Sequence, residues 1–255
     1  MLADNRQKWS VLSGLFLVYM ASNGITLHTL PILYPELMEE FGWRESEVTL
    51  PATVFFIVGA ITSPPAGWLL DRYSSRTIIT LGSLLLSLAL LGYSTTHTLW
   101  ELVAIYAVLG IALSLCGLVS NMVMLTSWFA ESRGRATGIL LMASSLGGAI
   151  FPLAVGIGLE HLGWRHTVLL SGVGVGVTML LSALLLLRDG RHVNERSLQP
   201  ATGAHQNRPN SEAGLMSIVR ERRFLAVVFA TGSLDRKSTR LNSSHSSVSR
   251  MPSSA

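Results

Sequence analysis

The sequence predicts an all-α membrane protein, a six-transmembrane-helix bundle built from a 3+3 inverted repeat. Three observations lead to it: the composition, the length of the apolar segments and an internal repeat. Hydrophobic residues make up 49% of the 255 residues and charged residues only 13%, whereas ordinary soluble domains carry about 25% charged residues. The single cysteine excludes a disulfide framework and a cysteine-based metal site.

Six apolar segments account for most of the chain. Each is about as long as the ~20 residues that a bilayer-spanning helix needs, and a helix satisfies its own backbone groups there. A seventh apolar run, residues 224–234, would span only about 16 Å as a helix, so we interpret it as a truncated helix 7. The six segments cover residues 10–33, 48–70, 77–94, 99–126, 136–158 and 166–187.

The distribution of basic residues predicts the orientation of these helices. The N-terminal segment 1–9, the loops after helices 2 and 4, and residues 188–223 contain nearly all Arg and Lys residues before position 224. The first loop on the other side is acidic. The positive-inside rule therefore places the N-terminus and the linker 188–223 in the cytoplasm, with the protein integral to a membrane, the bacterial inner (plasma) membrane in our interpretation. Much of the net charge of +4 lies in residues 235–255, so it does not indicate a nucleic-acid partner.

An internal repeat relates the two halves of the six-helix domain, residues 10–187. Residues 59–76 (GAITSPPAGWLLDRYSSR) align without a gap on residues 148–165 (GAIFPLAVGIGLEHLGWR), at an offset of 89. Glycine, alanine and isoleucine matches arise readily by chance in membrane helices, but an acid and an arginine at fixed offsets do not. Because the first copy ends in a cytoplasmic loop and the second in an external loop, the repeat predicts inverted topology, typical of secondary transporters. The matched positions with a candidate role are Gly67 with Gly156, Asp71 with Glu160, and Arg76 with Arg165.

The loop between helices 2 and 3 carries the motif GWLLDRYSSR, residues 67–76. It resembles the signature of the major facilitator superfamily, in which glycine is followed after three residues by Asp-Arg and then by glycine and a basic pair. Gly67, Asp71, Arg72 and Arg76 match, whereas Ser74 and Ser75 depart from the pattern. The resemblance implies the N-terminal half of a twelve-helix transporter. In it Gly67 would let helices approach, and Asp71 would pair with an arginine or cap a helix, latching the inner gate.

Two further stretches resemble the branch of monocarboxylate transporters and oxalate/formate antiporters. They are YPELMEEFGWRESEVTLP, residues 34–51, and SWFAESRGRATGI, residues 127–139. The resemblance implies a secondary active transporter that moves small organic anions by alternating access, with a coupled proton or by exchange. It implies no enzyme activity and no cofactor, with the lipid bilayer, a small-molecule substrate and the missing C-terminal half as partners. In that branch the cationic anion-binding residues belong largely to the C-terminal half.

Polar residues inside the helices are candidates for substrate contact, because burying a polar group in a membrane is costly. Helices 1 and 4 line the central cavity in this superfamily, and they contain the candidates Asn23, His28, Ser120 and Asn121. His28 could bind an anion or carry a coupling proton, or be an idle histidine near the interface. Asn121 could equally form an ordinary interhelical hydrogen bond. In helix 5, Gly147, Gly148 and Pro152 favour close packing and bending.

Other function classes remain as alternatives. A drug or metabolite efflux carrier of the same superfamily fits the same features. A membrane-anchored sensor would need a soluble domain, and a partner protein would need a complete helix set; neither is apparent in the sequence. The tail DRKSTRLNSSHSSVSRMPSSA, residues 235–255, resembles the translation of a sequencing adapter in one reading frame. We therefore expect no function for the tail, and no transport by a chain that holds only one half of the cavity.

Overall fold

The computed structural model describes residues 2–130 and 132–188, and every regular element within these ranges is helical. The predicted linker beyond Arg188, the truncated helix 224–234 and the tail 235–255 lie outside the described residues. A π-helical turn, Gly24–Thr29, and a 3-10 turn, Leu30–Leu33, join the first two helices, and a π-helical turn, Ser182–Leu186, follows the last. The helices are Leu2–Asn23, Tyr34–Phe41, Glu45–Arg72, Ser75–Ser94, Leu99–Cys116, Leu118–Trp128 and Arg133–Leu181.

Six membrane-spanning segments follow from these helices. The helix that begins at Arg133 turns at Gly163, whose φ of 73° and ψ of 164° are not helical and suit glycine. The chain folds back at this turn, as the contact between residues on its two sides shows. A Cβ added to Gly158 would lie 2.6 Å from Cγ2 of Thr167. Within residues 2–130 and 132–188, five helical stretches are long and apolar enough to cross a membrane: Arg6–Phe41, Glu45–Arg72, Ser75–Ser94, Leu99–Trp128 and Arg133–Leu186. We number the first four as spans 1–4, and call residues 133–162 span 5 and residues 164–186 span 6.

The helices extend further than the apolar segments predicted. The acidic stretch after residue 33, expected to be a loop, contains the helix Tyr34–Phe41. Pro35 lies in its first turn, a position that proline favours, and Gly42 ends it with a φ of 67°. The expected loop between spans 5 and 6 is reduced to the turn at Gly163, because one glycine supplies the reversal.

Glycines mark the places where the spans come closest. Span 1 packs on span 5 at Gly24 and Gly147, where a Cβ on either residue would lie 3.0–3.2 Å from the Cα of the other. Span 2 packs on span 4 at Gly110, where a Cβ would lie 2.6 Å from the carbonyl oxygen of Phe55. Small residues that permit such backbone approach are the usual means of packing membrane helices.

Spans 3 and 6 are joined by two arginines at opposite ends. Arg76, at the start of span 3, donates from Nε to the carbonyl of Ala183 (3.2 Å) and from Nη2 to that of Leu184 (2.5 Å). Arg165, at the start of span 6, donates from Nη1 to the carbonyl of Ser94 at the end of span 3 (3.1 Å). Arg76 and Arg165 are 89 residues apart, and so are Ser94 and Ala183. Each arginine therefore caps the carboxyl end of the other's helix at repeat-equivalent positions.

The centre of the same helix pair shows the same relation. Ser87 of span 3 lies against Gly176 of span 6, where a Cβ would come within 2.0 Å of the Ser87 Oγ. These two residues are again 89 apart. A residue touches its own repeat mate only near a two-fold axis, so the pseudo-two-fold axis of the inverted repeat passes close to this contact.

The outer faces of the bundle differ in residue type. The exposed residues of span 3 facing outward along its middle are leucines, namely Leu81, Leu84 and Leu88, and span 6 likewise exposes bulky aliphatic side chains. The exposed faces of spans 2 and 5 mix large apolar residues with small or polar ones. These smaller exposed residues are Ala60, Ser63 and Pro64 on span 2, and Ser145, Ala149 and Ala154 on span 5.

Candidate functional site: a cavity between spans 1, 2 and 4

Spans 1, 2 and 4 line an open cavity with a volume of about 370 Å³. Its lining is mainly apolar, with a few hydroxyl groups and one amide, and contains no charged side chain. A volume of this size suits a small ligand. The lining residues are Tyr19, Asn23, Leu27, Phe55, Phe56, Gly59, Ala60, Ser63, Gly110, Leu113, Ser114, Leu118 and Val119.

The helices on two sides of this cavity are interrupted at equivalent positions. Span 1 changes to a π-helical turn at Gly24–Thr29, and span 4 breaks at Gly117, where φ is −80° and ψ is −155°. The repeat offset of 89 carries residues 24–29 onto residues 113–118, which include Gly117. Interruptions at corresponding positions of two repeats are a good indicator of a transporter's binding site, and π-helical turns often mark functional sites.

Asn23 is the one predicted cavity residue that lines this cavity. Its side chain is largely buried, and its Nδ2 donates to the Tyr19 carbonyl at 3.3 Å.

The structure does not place Ser120 and Asn121 at this cavity. Both are fully buried, and Asn121 Nδ2 donates to the carbonyls of Cys116 and Gly117, each at 2.7 Å. The amide thus satisfies the Cys116 carbonyl at the break, whereas the Gly117 carbonyl also accepts the backbone N–H of Asn121 at 3.2 Å. The substrate contact expected of these two residues stays a prediction: neither is among the residues that line this cavity, and the Asn121 amide already has a structural contact. Ser120 Oγ and Asn121 Oδ1 have no hydrogen-bond partner among the described residues.

His28 lies on the π-helical turn and is exposed, outside the lining of the cavity. Its ring lies against span 5, where a Cβ on Gly148 would be 3.1 Å from the ring. The neighbouring Gly147 is where spans 1 and 5 meet, since a Cβ there would lie 2.4 Å from the Met20 carbonyl oxygen. Pro152 is half-buried in span 5, and the helical dihedral angles continue through it.

The motif between spans 2 and 3 forms no latch within the described residues. Asp71 is exposed and forms no hydrogen bond or ion pair with Arg72 or Arg76. Arg72 lies over the Trp68 ring, 5.0 Å from its centroid, while Arg76 bonds to span 6. A Cβ on Gly67 would meet no described atom within 4 Å, so the close approach expected there is not seen within this bundle.

Ser74, where the motif usually has glycine, has a local structural explanation. It is the N-cap of span 3, and its Oγ accepts a hydrogen bond from the Thr77 N–H at 3.4 Å. Serine is among the residues preferred at this position because it satisfies an otherwise unpaired N–H. Serine at position 74, although it departs from the motif, therefore caps the start of span 3.

The equivalent positions at the other end of the bundle differ in their contacts. Gly156 has open space around it and Glu160 is exposed, as Gly67 and Asp71 are. Arg165, however, forms an ion pair with Glu40 at 2.8 Å and lies 3.4 Å from His97 Nδ1. These contacts join the end of span 1 to spans 3 and 6.

Trp164 completes this cluster at the turn between spans 5 and 6. Its Nε1 donates to the second carboxylate oxygen of Glu40, and its ring lies 4.5 Å from the Arg165 guanidinium carbon. Glu40 and Trp164 were not among the residues predicted from the sequence. The acidic stretch after residue 33 was the available signal, but a loop was expected there.

Comparisons with known proteins identify the family. Residues 11–234 match the family model of the Major Facilitator Superfamily. Monocarboxylate transporter 6 of Homo sapiens is 31% identical over 176 residues, covering 67% of this chain and 34% of that protein. The "Probable L-galactonate transporter" of Escherichia coli is 26% identical over 195 residues, covering 74% of this chain and 42% of that protein.

A solved structure with a similar fold is consistent with this family match. A solved bacterial homologue of the human lysosomal transporter Spinster, inward-facing and unoccupied, superposes with a TM-score of 0.54 at 18% identity, covering 81% of this chain and 46% of that one. The chain thus spans between about a third and a half of the length of these proteins. Residues 235–255 fall outside the family match and the described residues. With its all-helical membrane bundle and a match over most of its length, the chain belongs to the Major Facilitator Superfamily.

Proposed function

We propose that these residues form the N-terminal half of a secondary active transporter that moves small organic anions, such as monocarboxylates, by alternating access. The observation that supports this most directly is the pair of helix interruptions, at Gly24–Thr29 and at Gly117, on two sides of one cavity. A site between two repeats, beside discontinuous helices, is the arrangement by which secondary transporters bind their substrates.

The second half of the transporter would close the other side of this cavity. The exposed small and polar residues of spans 2 and 5, including Ser63 and Ser145, suit packing against further helices better than contact with lipid. The relatives, two to three times as long as the matched region, support the same view. Gly67, Asp71 and their repeat mates Gly156 and Glu160 lie open at the two ends of the bundle, available to a gate contact with that half.

The substrate class is inferred from the relatives and from the two stretches that resemble the monocarboxylate branch. One relative is named as a monocarboxylate transporter and another as a transporter of the sugar acid L-galactonate. His28, exposed on the π-helical turn, is our candidate for a coupling proton, because an imidazole can both accept and release a proton. Export of an apolar compound is the second candidate, favoured by the mainly apolar cavity lining.

We further propose that the N-terminus faces the cytoplasm of a bacterial inner membrane. Basic residues lie together at one end of the bundle, where Arg72, Arg76 and Arg188 meet the ends of spans 2, 3 and 6. The opposite end carries the acidic helix Tyr34–Phe41. The positive-inside rule favours the cytoplasm for the basic end.

Uptake into proteoliposomes tests the proposal. The carrier completed by its second half is reconstituted, and uptake of radiolabelled lactate, propionate, oxalate and galactonate is measured with and without an inward proton gradient. We expect saturable uptake of at least one carboxylate, and proton coupling that is lost in the variant His28→Ala. Uptake of no carboxylate, together with export of apolar dyes from cells, would replace this proposal with the efflux carrier.

A further inference from the structure

We propose that the cavity wall formed by spans 1, 2 and 4 is a subsite for the uncharged end of an amphiphilic carboxylate. That end is an apolar group with a hydrogen-bond donor such as a hydroxyl, and the carboxylate points away from this half. The inference rests on the proposed transport function and adds to it the class of the substrate and the direction in which it lies.

The absence of charge from the cavity lining is the first argument. None of its thirteen lining residues is an acid, an arginine, a lysine or a histidine, and the Arg and Lys side chains of the described residues lie at the ends of the spans. A carboxylate moved out of water without a compensating cation or several donors carries a large free-energy cost. The wall instead offers apolar surface, with Phe55 and Phe56 packed edge to face at 5.1 Å between ring centroids.

The direction of the hydroxyl protons is the second argument. Ser114 Oγ lies within donating distance of the carbonyls of Gly59 (3.1 Å) and Gly110 (3.0 Å). Ser63 Oγ donates to the Gly59 carbonyl as well, at 2.7 Å. Ser114 Oγ also lies 2.9 Å from Thr62 Oγ1, and either hydroxyl can be the donor. A hydroxyl has one hydrogen and two lone pairs, so the hydrogens of both serines are directed at partners inside the bundle, while at least one lone pair of each is left over. Each serine oxygen can therefore still accept a hydrogen bond from a ligand. Such an oxygen repels a carboxylate and pairs with a ligand group that donates a hydrogen bond.

Asn23 supplies the remaining polar group of the wall. One N–H of its amide is directed to the Tyr19 carbonyl, which leaves its oxygen and one further N–H for a ligand. Such a neutral pair of acceptor and donor complements a hydroxyl group, which both donates and accepts. Asn23 and Ser114 lie on spans 1 and 4, the two interrupted helices, so a ligand hydroxyl between them would touch both repeats.

Two acids that differ by one hydroxyl group test the inference. KM for uptake of L-lactate and of propionate is measured in proteoliposomes of the completed carrier and of two variants, Asn23→Ala and Ser114→Ala. Loss of one buried hydrogen bond should raise KM for lactate about tenfold and leave KM for propionate within about twofold. The matched control is Thr178→Ala, because Thr178 also donates to a helix carbonyl, that of Gly174 at 2.8 Å, but on the exposed face of span 6.

Each outcome decides between the two proposals. Equal changes of KM for both acids in Asn23→Ala, or no change for either, would overturn this inference and leave the transport function standing. If the wild-type carrier takes up neither acid nor any other carboxylate, both proposals fail together. Because Ser114 lies where spans 2 and 4 meet, Ser114→Ala can unfold the protein. Each variant must therefore elute as a single symmetric peak in size-exclusion chromatography. If Ser114→Ala does not, the result for Asn23→Ala alone decides.

Discussion

The two arginine caps between spans 3 and 6 give a stability prediction that can be calculated from the structure. Arg76→Met keeps the length of the side chain and removes both hydrogen bonds to the carbonyls of Ala183 and Leu184. Hydrogen bonds to charged groups contribute about 1.5–3 kcal/mol each, and a cation at a helix C-terminus about 0.3–1 kcal/mol. The lower values sum to about 3.3 kcal/mol, and because Arg76 is partly exposed and solvent weakens these interactions, we expect a total loss of about 2–3 kcal/mol.

Thermal unfolding of the chain in detergent, followed by tryptophan fluorescence, measures this loss. For a protein of this size about 2 kcal/mol corresponds to a decrease in Tm of about 4–8 °C. Arg72→Met is the matched control, because Arg72 is exposed and its contact with the Trp68 ring contributes at most about 1 kcal/mol. Arg165→Met, which loses one carbonyl bond and an exposed ion pair with Glu40, should decrease Tm by a similar amount to Arg76→Met.

The double variant Arg76→Met/Arg165→Met adds a second criterion. The two arginines lie at opposite ends of the helix pair, so their effects should add to within about 0.5 kcal/mol. Equal Tm values for Arg76→Met and Arg72→Met would refute the reasoning, because the carbonyl bonds would then contribute nothing beyond an ordinary surface arginine.

Three further predictions concern packing. Gly176→Ala should destabilise the bundle by about 1–3 kcal/mol through overpacking against Ser87. The control Gly174→Ala, where a Cβ would have no described atom within 4 Å, should leave Tm unchanged or raise it. A lower Tm for Gly174→Ala than for Gly176→Ala would contradict the close contact of spans 3 and 6. Gly163→Ala should cost about 1–3 kcal/mol because of the positive φ, and an unchanged Tm would argue against the one-residue turn. Cys116, which is fully buried, should resist a maleimide in the folded chain and react in denaturant; rapid labelling of the folded chain would show that the core is misplaced.

Much of the fold could be predicted because membrane helices follow simple physical rules. The six apolar segments predicted the six spans, since a bilayer demands long apolar stretches with internally paired backbone groups. The offset of 89 between Arg76 and Arg165 reappears in their contacts with Ala183 and Ser94. The helix Tyr34–Phe41 could not be predicted in this way, because it is too polar for an apolar-segment criterion and depends on contacts such as that of Glu40 with Arg165.

The candidate site was predicted less well, because a helix sequence does not show which side chains bond to the helix's own backbone. The polarity of Asn121 predicts a substrate contact, which stays a prediction, but it does not show that the amide bonds to the carbonyls of Cys116 and Gly117. Asn23 lines the cavity, and the π-helical turn that begins at the next residue could not be predicted from any periodicity in the sequence. Ser114 was noted as polar, but the direction of its proton depends on the packing of spans 2 and 4 at Gly59 and Gly110.

The central claim is that this chain forms one half of a carrier whose cavity needs a second half. Co-expression with a separately encoded C-terminal six-helix half, followed by uptake of radiolabelled carboxylate into vesicles, tests it most directly. We expect no uptake above background with either half alone and saturable uptake with both, lost again when Gly59→Leu fills the cavity wall. Uptake by the chain expressed alone, at the rate seen with both halves, would contradict the claim.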